Sequence, residues 1–229
     1  MENNLEKIVS QIVSSANKSD RDANNIKLIA ASKTQTAERV REFYDSGHKI
    51  FGENRFQEGR EKIPLLPADT EWHFIGGLQR NKVKDIIKLF EWIHSVDSIS
   101  LLDEIEKRAA HAGKIQKILL EINVGGEANK HGAAPEDLLT LVRATNERQH
   151  VELHGLMTVA PFSEDLEEVR PYFAKLRELK ETAERETDSI LPELSMGMTH
   201  DFTIAIEEGA TMVRVGTGLF GKRNYGKTE

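Results

Sequence analysis

A lysine at the end of an apolar run could do covalent chemistry in this chain. It is Lys33, in the stretch LIAASKTQ at residues 28–35. A lysine whose ammonium group is partly removed from water has a lowered pKa and becomes nucleophilic near neutral pH. Such an amine can form a Schiff base with an aldehyde. The alternative is structural, because the same side chain could extend into solvent or pair with a carboxylate such as Glu53.

Two later stretches contain small and hydroxyl residues that could hold an anion. They are SMGMT at residues 195–199 and VGTG at residues 215–218. Glycine lets the backbone approach an anion closely, and successive N–H groups and hydroxyls can then bind it. The two stretches follow the seventh and eighth predicted strands, and in parallel α/β barrels the loops after these strands often bind phosphate. The glycines could instead serve only tight turns, and their spacing does not separate the two interpretations.

Arg214 is a charged residue within an apolar strand pattern. Its neighbours Val213 and Val215 would point to the opposite face of the strand. If the two valines face surrounding helices, Arg214 points inward, where a guanidinium stays charged and needs an acceptor. That acceptor could be the ring nitrogen of a bound cofactor, or a carboxylate such as Glu121 or Glu53.

Short β-rich runs alternate with helical patterns along almost the whole chain, and these elements must position the three groups. An amphipathic helix is predicted over residues 1–20. Strands are predicted near residues 26–33, 49–54, 71–76, 91–96, 115–124, 151–159, 193–196 and 211–216. Eight alternations without a long linker favour a single (β/α)8 TIM barrel domain over residues 1–229, with an additional N-terminal helix and a short tail at residues 222–229. An open sheet with fewer strands is the alternative.

The carboxyl ends of the strands in such a barrel meet at one mouth, where active sites lie. Lys33 and Asn54 follow the first two strands, and His73 is placed near the end of the third. The candidate site residues at this mouth are Lys33, Asn54, His73, Ser195, Gly197, Arg214, Gly216 and Thr217.

Composition and charge exclude several classes of protein. The formal net charge is −7, which argues against a general nucleic-acid binder, because phosphate neutralisation needs clustered Lys and Arg. Cysteine is absent, and the scattered histidines give no motif for a metal site. The first residues do not resemble a signal peptide, and no apolar run approaches the ~20 residues needed to span a bilayer. A cytoplasmic monomer with no membrane contact is therefore expected.

Six segments together resemble one protein family. LIAASKTQ, FGENRFQEG, EWHFIGGLQRNK, HGLMTV, LSMGMTHDF and MVRVGTGLFG look like the pyridoxal-phosphate homeostasis proteins, also called the YggS/PROSC family. The resemblance extends from about residue 28 to residue 221. It implies the alanine-racemase-like barrel of fold type III and pyridoxal 5′-phosphate (PLP) as the cofactor.

The resemblance also implies a role for each candidate residue. Lys33 would be the Schiff-base lysine, and Arg214 would stand at the ring nitrogen. The phosphate would be held by Ser195, Gly197, Gly216 and Thr217, while Asn54 and His73 lie in motifs that line the pocket. One departure is Gly77, where many relatives have proline, which predicts a looser turn. The segment NKHG at residues 129–132 could contact an anion or form a polar turn, and the turn is favoured.

The same fold could belong to a carrier or to an enzyme. A two-base racemase needs a second acid–base group facing the lysine, which alanine racemases take from a tyrosine of a separate domain in the partner subunit. Here Tyr44 and Tyr172 are predicted on outer helices, and Tyr225 lies in the tail. The resulting hypothesis is a non-enzymatic protein of PLP homeostasis, which holds PLP and passes it to apo-enzymes. The alternatives are a small PLP-dependent amino-acid racemase and an enzyme that forms a Schiff base with a sugar phosphate.

Overall fold

The computed structural model describes residues 2–127 and 131–221. Asn129 and Lys130 of the NKHG segment lie outside the described residues. The predicted tail at residues 222–229, including Tyr225, lies outside them too.

Parallel strands form a closed barrel in which each strand pairs with the next and the last pairs with the first. The strands are β1 Lys27–Ala31, β2 Ile50–Glu53, β3 Glu71–Phe74, β4 Trp92–Val96, β5 Gln116–Glu121, β6 Val151–Met157, β7 Glu193–Met198 and β8 Met212–Val215. All eight predicted strands are present, so the prediction of a (β/α)8 barrel is confirmed over that of an open sheet.

Helices surround the barrel and cover its outer face. They are α1 Glu2–Lys18, α2 Ala37–Asp45, α3 Phe56–Lys62, α4 Val83–Leu89, α5 Ile99–His111, α6 Leu138–Asn146, α7 Arg170–Thr187, α8 Phe202–Glu207 and the short α9 Thr217–Phe220. At the start of α2, the Thr36 hydroxyl caps the helix by accepting a hydrogen bond from the N–H of Arg39. None of the helices in the described ranges is long and apolar enough to cross a membrane.

The alternation of side chains along the strands divides the core into two parts. Outward-facing residues such as Val213 and Val215 pack against the helices in the larger cluster. A smaller cluster inside the barrel contains Ile29, Trp92, Leu119, Met157 and Met212. Arg214 therefore points into the barrel, as the pattern of β8 predicts.

The amino-terminal helix α1 packs beside the two helices that precede and follow β8. Its apolar residues Ile8, Ile12 and Ala16 are buried, and the helix packs against α8 and α9. The side-chain amide of Asn4 donates a hydrogen bond of 3.1 Å to the carbonyl of Leu219 in α9. The helix that precedes the barrel thus holds the segment that follows β8, where one of the predicted anion-binding stretches lies.

Candidate cofactor site at the barrel mouth

A cavity of about 380 Å³ opens at the carboxyl ends of the strands. Its wall brings together residues that lie at or just after the carboxyl ends of β1, β2, β3, β6, β7 and β8: Ala31, Lys33, Asn54, Ile75, Val159, Met198, Thr199, His200, Arg214, Gly216 and Thr217. Five of the predicted site residues are in this wall, namely Lys33, Asn54, Arg214, Gly216 and Thr217. The cavity is large enough for a small cofactor.

Lys33 lies two residues beyond the end of β1, in a turn, and is half-buried. The next residue, Thr34, has a φ of 67°, in the left-handed region that costs energy for a residue other than glycine. Its N–H donates a 2.5 Å hydrogen bond to Oε2 of Glu58 in α3. A contact from a neighbouring helix therefore stabilises the turn that carries the candidate nucleophile.

A second contact from α3 reaches the other side of Lys33. The ammonium group of Lys62 is buried and donates to the carbonyl of Ser32 at 2.8 Å. It also bonds Oε1 of Glu53 at 2.8 Å and Oε2 of Glu58 at 3.1 Å. Three acceptors match the three donors of an ammonium group. Lys62 and Glu58 thus hold the backbone on both sides of Lys33.

The charges in this cluster depend on each other. Burial raises the pKa of Glu53, and the opposing attraction comes from Lys62 and the hydroxyl of Ser32, 2.6 Å away. Burial alone would raise the pKa of Glu58, but hydrogen bonds from the Thr34 N–H and Lys62 outweigh it and lower the pKa of that carboxyl below its usual value. The sequence left open whether Glu53 would pair with Lys33, and the structure pairs Glu53 with Lys62.

Replacing Lys62 with methionine should destabilise the protein by about 2 kcal/mol. That is less than the ~3–5 kcal/mol usual for a broken buried ion pair, because Glu53 can take up a proton. Urea unfolding measures the change. Lys88→Met is the matched control, since its side chain is 59% exposed and 3.9 Å from Asp85, and this variant should differ little from wild type. Equal stability of the two variants would show that the Lys62 contacts contribute nothing.

Arg214 lies at the floor of the cavity and is 4% exposed. Its Nη1 donates to the hydroxyl of Ser195 at 2.6 Å, and its Nη2 donates to the carbonyl of Thr158 at 2.8 Å. Within the described residues these bonds use two of the five N–H groups of the guanidinium. Burial lowers the pKa of Arg214 to about 10, while Glu121 and Asp201 oppose the shift. The group is therefore a cation at neutral pH.

Glu121 is an inward-facing carboxyl near Arg214. Burial raises the pKa of Glu121 to about 7, and Asp97 adds to the shift, whereas Arg214 and His131 oppose it. A carboxyl whose pKa is raised by folding stabilises the protein below its unfolded pKa, and this contribution is lost as the pH rises through the folded pKa. The ordinary pKa is near 4.5, so the loss occurs between about pH 4.5 and pH 7.

A Glu121→Gln variant, which resembles the protonated acid, should gain stability over wild type as the pH rises. Its advantage should be larger by about 2 kcal/mol at pH 8.5 than at pH 5.5. Urea unfolding at the two values measures it. Glu178→Gln, on an exposed position of α7, is the control and should show no such trend. A stability difference that is independent of pH would contradict the raised pKa of Glu121.

The two glycine stretches meet at one side of the cavity. The hydroxyl of Thr199, in the loop after β7, accepts hydrogen bonds from the N–H of Gly216 at 3.1 Å and of Gly218 at 3.3 Å. Gly197 has a φ of +89°, and a Cβ there would lie 2.5 Å from the Cβ of Ala205. Gly197 is therefore required to seat the loop against α8, while Thr199, Gly216 and Thr217 line the cavity.

The structure does not bring three of the predicted residues into the cavity wall. Gly197 is buried behind the loop. The side chain of Ser195 lies deeper in the barrel, where it contacts Arg214 and His94. His73 is fully buried below the mouth, between His94 and Glu71. Sequence reasoning missed Thr199 and His94. Thr199 could have been predicted, because it is the last residue of SMGMT. His94 could have been predicted from strand alternation, because it is the next inward position of β4 after Trp92.

Comparison with known proteins assigns this chain to a protein family. The alanine racemase N-terminal domain family matches residues 4–224. A pyridoxal phosphate homeostasis protein from Aquifex aeolicus is 50% identical over 222 residues, covering 96% of this chain and 97% of the relative. A protein of the same name from Homo sapiens is 38% identical over 217 residues, covering 88% of this chain and 78% of the relative.

Solved structures agree with this assignment. PipY of Synechococcus elongatus PCC7942, in a structure with PLP bound, has a TM-score of 0.81 and 36% identity, covering 92% of this chain and 100% of that chain. An alanine racemase from Clostridium difficile is similar in fold alone, with a TM-score of 0.76 and 16% identity, covering 97% of this chain and 57% of that chain. The chain therefore belongs to the family of pyridoxal phosphate homeostasis proteins, which is built on the alanine racemase N-terminal domain.

Proposed function

We propose that this protein binds PLP at the barrel mouth, holds it as a Schiff base on Lys33 without turnover, and acts in PLP homeostasis. One observation carries the proposal. The amine of Lys33, the guanidinium of Arg214 and the donors of the two glycine stretches border a single cavity of about 380 Å³. The names of the relatives and the PLP-bound structure of PipY support the same assignment.

The residues of the cavity fit the parts of PLP. Lys33 would react with the aldehyde and release water. Thr217 and the Thr199 hydroxyl supply donors for the phosphate, the N–H of Gly216 holds that hydroxyl in place, and Gly197 seats the loop. The side-chain oxygen of Asn54 is buried without a hydrogen-bond partner among the described residues, so it is an acceptor that a bound ligand can satisfy. Ser195 and His73 would contribute from below, through Arg214.

Arg214 determines what the bound cofactor can do. PLP supplies an electron sink when its ring nitrogen is protonated. Arg214 can only donate a hydrogen bond and remains charged at neutral pH, so it keeps a neighbouring nitrogen unprotonated. That environment makes the cofactor a poorer electron sink, which suits storage better than carbanion chemistry.

Among the described residues, few side chains could serve as the second acid–base group that a two-base racemase needs. Tyr44 and Tyr172 lie on the outer helices α2 and α7, as the sequence predicts. The imidazole of His200 is in the cavity wall, but its Nε2 is 3.0 Å from the carbonyl of Ser163 and its ring packs on Phe162. These contacts hold His200 against the rim. We therefore favour a carrier that passes PLP to apo-enzymes over a racemase, and a monomer remains our prediction.

Two measurements test the proposal. The purified protein incubated with PLP should develop the yellow absorbance of a protonated imine, and borohydride should convert it to a stable adduct. The loaded protein should then produce no D-enantiomer from a panel of L-amino acids followed by chiral chromatography. Lack of the yellow adduct would reject PLP binding at this lysine. Turnover of an amino acid that is lost in Lys33→Ala would reject the carrier and support the racemase.

A further inference from the structure

A continuous series of hydrogen bonds crosses the interior of the barrel, from the amino-terminal end of β3 to Arg214. His73 Nε2 lies 2.8 Å from Glu71 Oε1, and His73 Nδ1 lies 2.8 Å from His94 Nε2. His94 Nδ1 lies 2.9 Å from the hydroxyl of Ser195, which accepts from Arg214 Nη1 at 2.6 Å. Strands β3, β4, β7 and β8 each contribute to this series.

We infer that Glu71, His73, His94 and Ser195 form a one-way hydrogen-bond relay that positions Arg214 and fixes the protons beneath the ring-nitrogen site. The inference deepens the proposed function, because it rests on Arg214 as the partner of the cofactor ring. Ser195, His94, His73 and Glu71 are here positioning residues, which act through Arg214. The series from Glu71 to Ser195 is called the relay below.

The direction of the relay is set by the ionised carboxyl of Glu71, which can only accept a hydrogen bond from His73, and the donor Arg214 at the other end is compatible with it. A neutral His73 therefore carries its proton on Nε2, and its Nδ1 accepts from His94 Nε2. A neutral His94 likewise carries its proton on Nε2, so its Nδ1 is an acceptor at which the Ser195 hydrogen points. Arginine only donates, so the oxygen of Ser195 accepts from Arg214.

Burial keeps both imidazoles neutral. His73 and His94 are 0% exposed. Burial lowers the pKa of His73, although Glu71 opposes the shift. Burial also places the pKa of His94 well below its usual value, with further repulsion from His73, Arg214 and Lys27. A protonated His94 would donate from both nitrogens, and the Ser195 oxygen would then face two cations.

Ring packing fixes the orientation of the two imidazoles in the relay. The rings of His73 and Trp92 are parallel within 5°, with centroids 5.4 Å apart. His94 meets both rings edge-on, at 5.0 Å from His73 and 6.3 Å from Trp92. Neither imidazole can turn without disturbing Trp92, so the nitrogens stay aligned. The acceptor end, Glu71, has a side chain that is 38% exposed, and its bond to His73 lowers the pKa of Glu71.

The positions of the protons in the free protein test the relay without any cofactor. Nitrogen-15 NMR should show neutral His73 and His94, both with the proton on Nε2, over the pH range in which the fold is stable. Glu71→Gln keeps an acceptor oxygen and should preserve this pattern. Glu71→Ala removes the acceptor, so both rings should shift toward the form with the proton on Nδ1. A wild-type His94 with its proton on Nδ1 would overturn the inference.

Binding measurements test the effect on Arg214. Ser195→Ala should weaken PLP binding about tenfold, because Arg214 loses an acceptor and its fixed orientation. Ser95→Ala is the matched control. Ser95 is buried on β4 beside His94, and its hydroxyl has no hydrogen-bond partner in the described structure, so this variant should bind PLP as wild type does. Equal PLP affinity of Ser195→Ala and Ser95→Ala would overturn the positioning role.

The two experiments separate this inference from the proposed function. If wild type binds no PLP, the proposed function fails and the positioning role toward the cofactor fails with it. The proton pattern of the free protein would still decide the direction of the relay. If Ser195→Ala does not fold, Glu71→Ala takes its place in the binding experiment, compared with Glu71→Gln. A weaker affinity only in the alanine variant supports the relay, and equal affinities reject it.

Discussion

Lys33→Ala protein should fold normally and show no borohydride-stable adduct with PLP, whereas wild type should approach one adduct per chain. The yellow absorbance of the imine should be lost with the adduct. Residual binding would rest on the phosphate donors and Arg214 alone, and we expect it to be weaker by about 100-fold, or ~2.7 kcal/mol. Absorbance spectra and peptide mapping after reduction measure the first effect, and equilibrium dialysis measures the second.

The location of Lys33 explains why function and stability should separate in this variant. Lys33 is half-buried in a turn after β1, and the backbone of Ser32 and Thr34 makes two hydrogen bonds that hold this turn. Truncation of a side chain at such a position usually changes stability by less than about 0.5–1 kcal/mol. Urea unfolding of Lys33→Ala should therefore resemble that of wild type, and the loss of the adduct would be chemical.

Neighbouring lysines provide the control for this experiment. Lys62 is close to Lys33 in space, but its ammonium is buried and bonded to three oxygens, so it should not be labelled. Lys82 is in the wall of an adjacent cavity of about 310 Å³. An adduct that maps to Lys62 or Lys82 in wild type would show that the nucleophile is assigned to the wrong residue.

The sequence was sufficient to predict which face of β8 enters the barrel. Arg214 lies between two valines, and period-two alternation depends only on local geometry. The barrel itself followed from the repeated strand–helix pattern. The turn at Lys33 was not predicted, because the first strand was expected to continue to Lys33, whereas β1 ends at Ala31.

Depth inside the barrel could not be predicted in the same way. The seventh strand was predicted to end at residue 196, but β7 continues to Met198, so Ser195 lies one inward layer below the mouth. His73 is likewise one layer deep, because the next inward residue, Ile75, reaches the cavity wall. The stagger between strands decides these depths, and stagger is a property of the closed barrel that no single strand encodes.

Hydrogen-bond partners that are distant along the chain could not be predicted from the sequence either. Lys62 is the last residue of a helix rich in charge, where a lysine is usually solvated, yet it is buried against the turn of Lys33. Its partners Ser32 and Glu53 come from β1 and β2 exits that the sequence places 30 and 9 residues away. The parallel pairing of β1 with β2 and the packing of α3 after β2 bring the three together.

Gly197→Ala should be the most destabilising of the variants considered, at about 3 kcal/mol. Two costs add at this position. The backbone has a φ of +89°, which is unfavourable for alanine by about 1 kcal/mol. The new Cβ would also lie 2.5 Å from the Ala205 Cβ and 2.8 Å from the Phe202 Cα, and such overpacking usually costs ~1–3 kcal/mol. Urea unfolding measures the sum.

Gly113→Ala separates the two costs. Gly113 follows α5 with a φ of +61°, and a Cβ there would meet nothing within 4 Å, so only the backbone cost of about 1 kcal/mol remains. Because the clash at Gly197 pushes the loop of Thr199 away from α8, Gly197→Ala should also weaken PLP binding, while Gly113→Ala should not. If the two alanine variants unfold at the same urea concentration, α8 does not press on Gly197, and the geometry assigned to the phosphate side of the cavity is wrong.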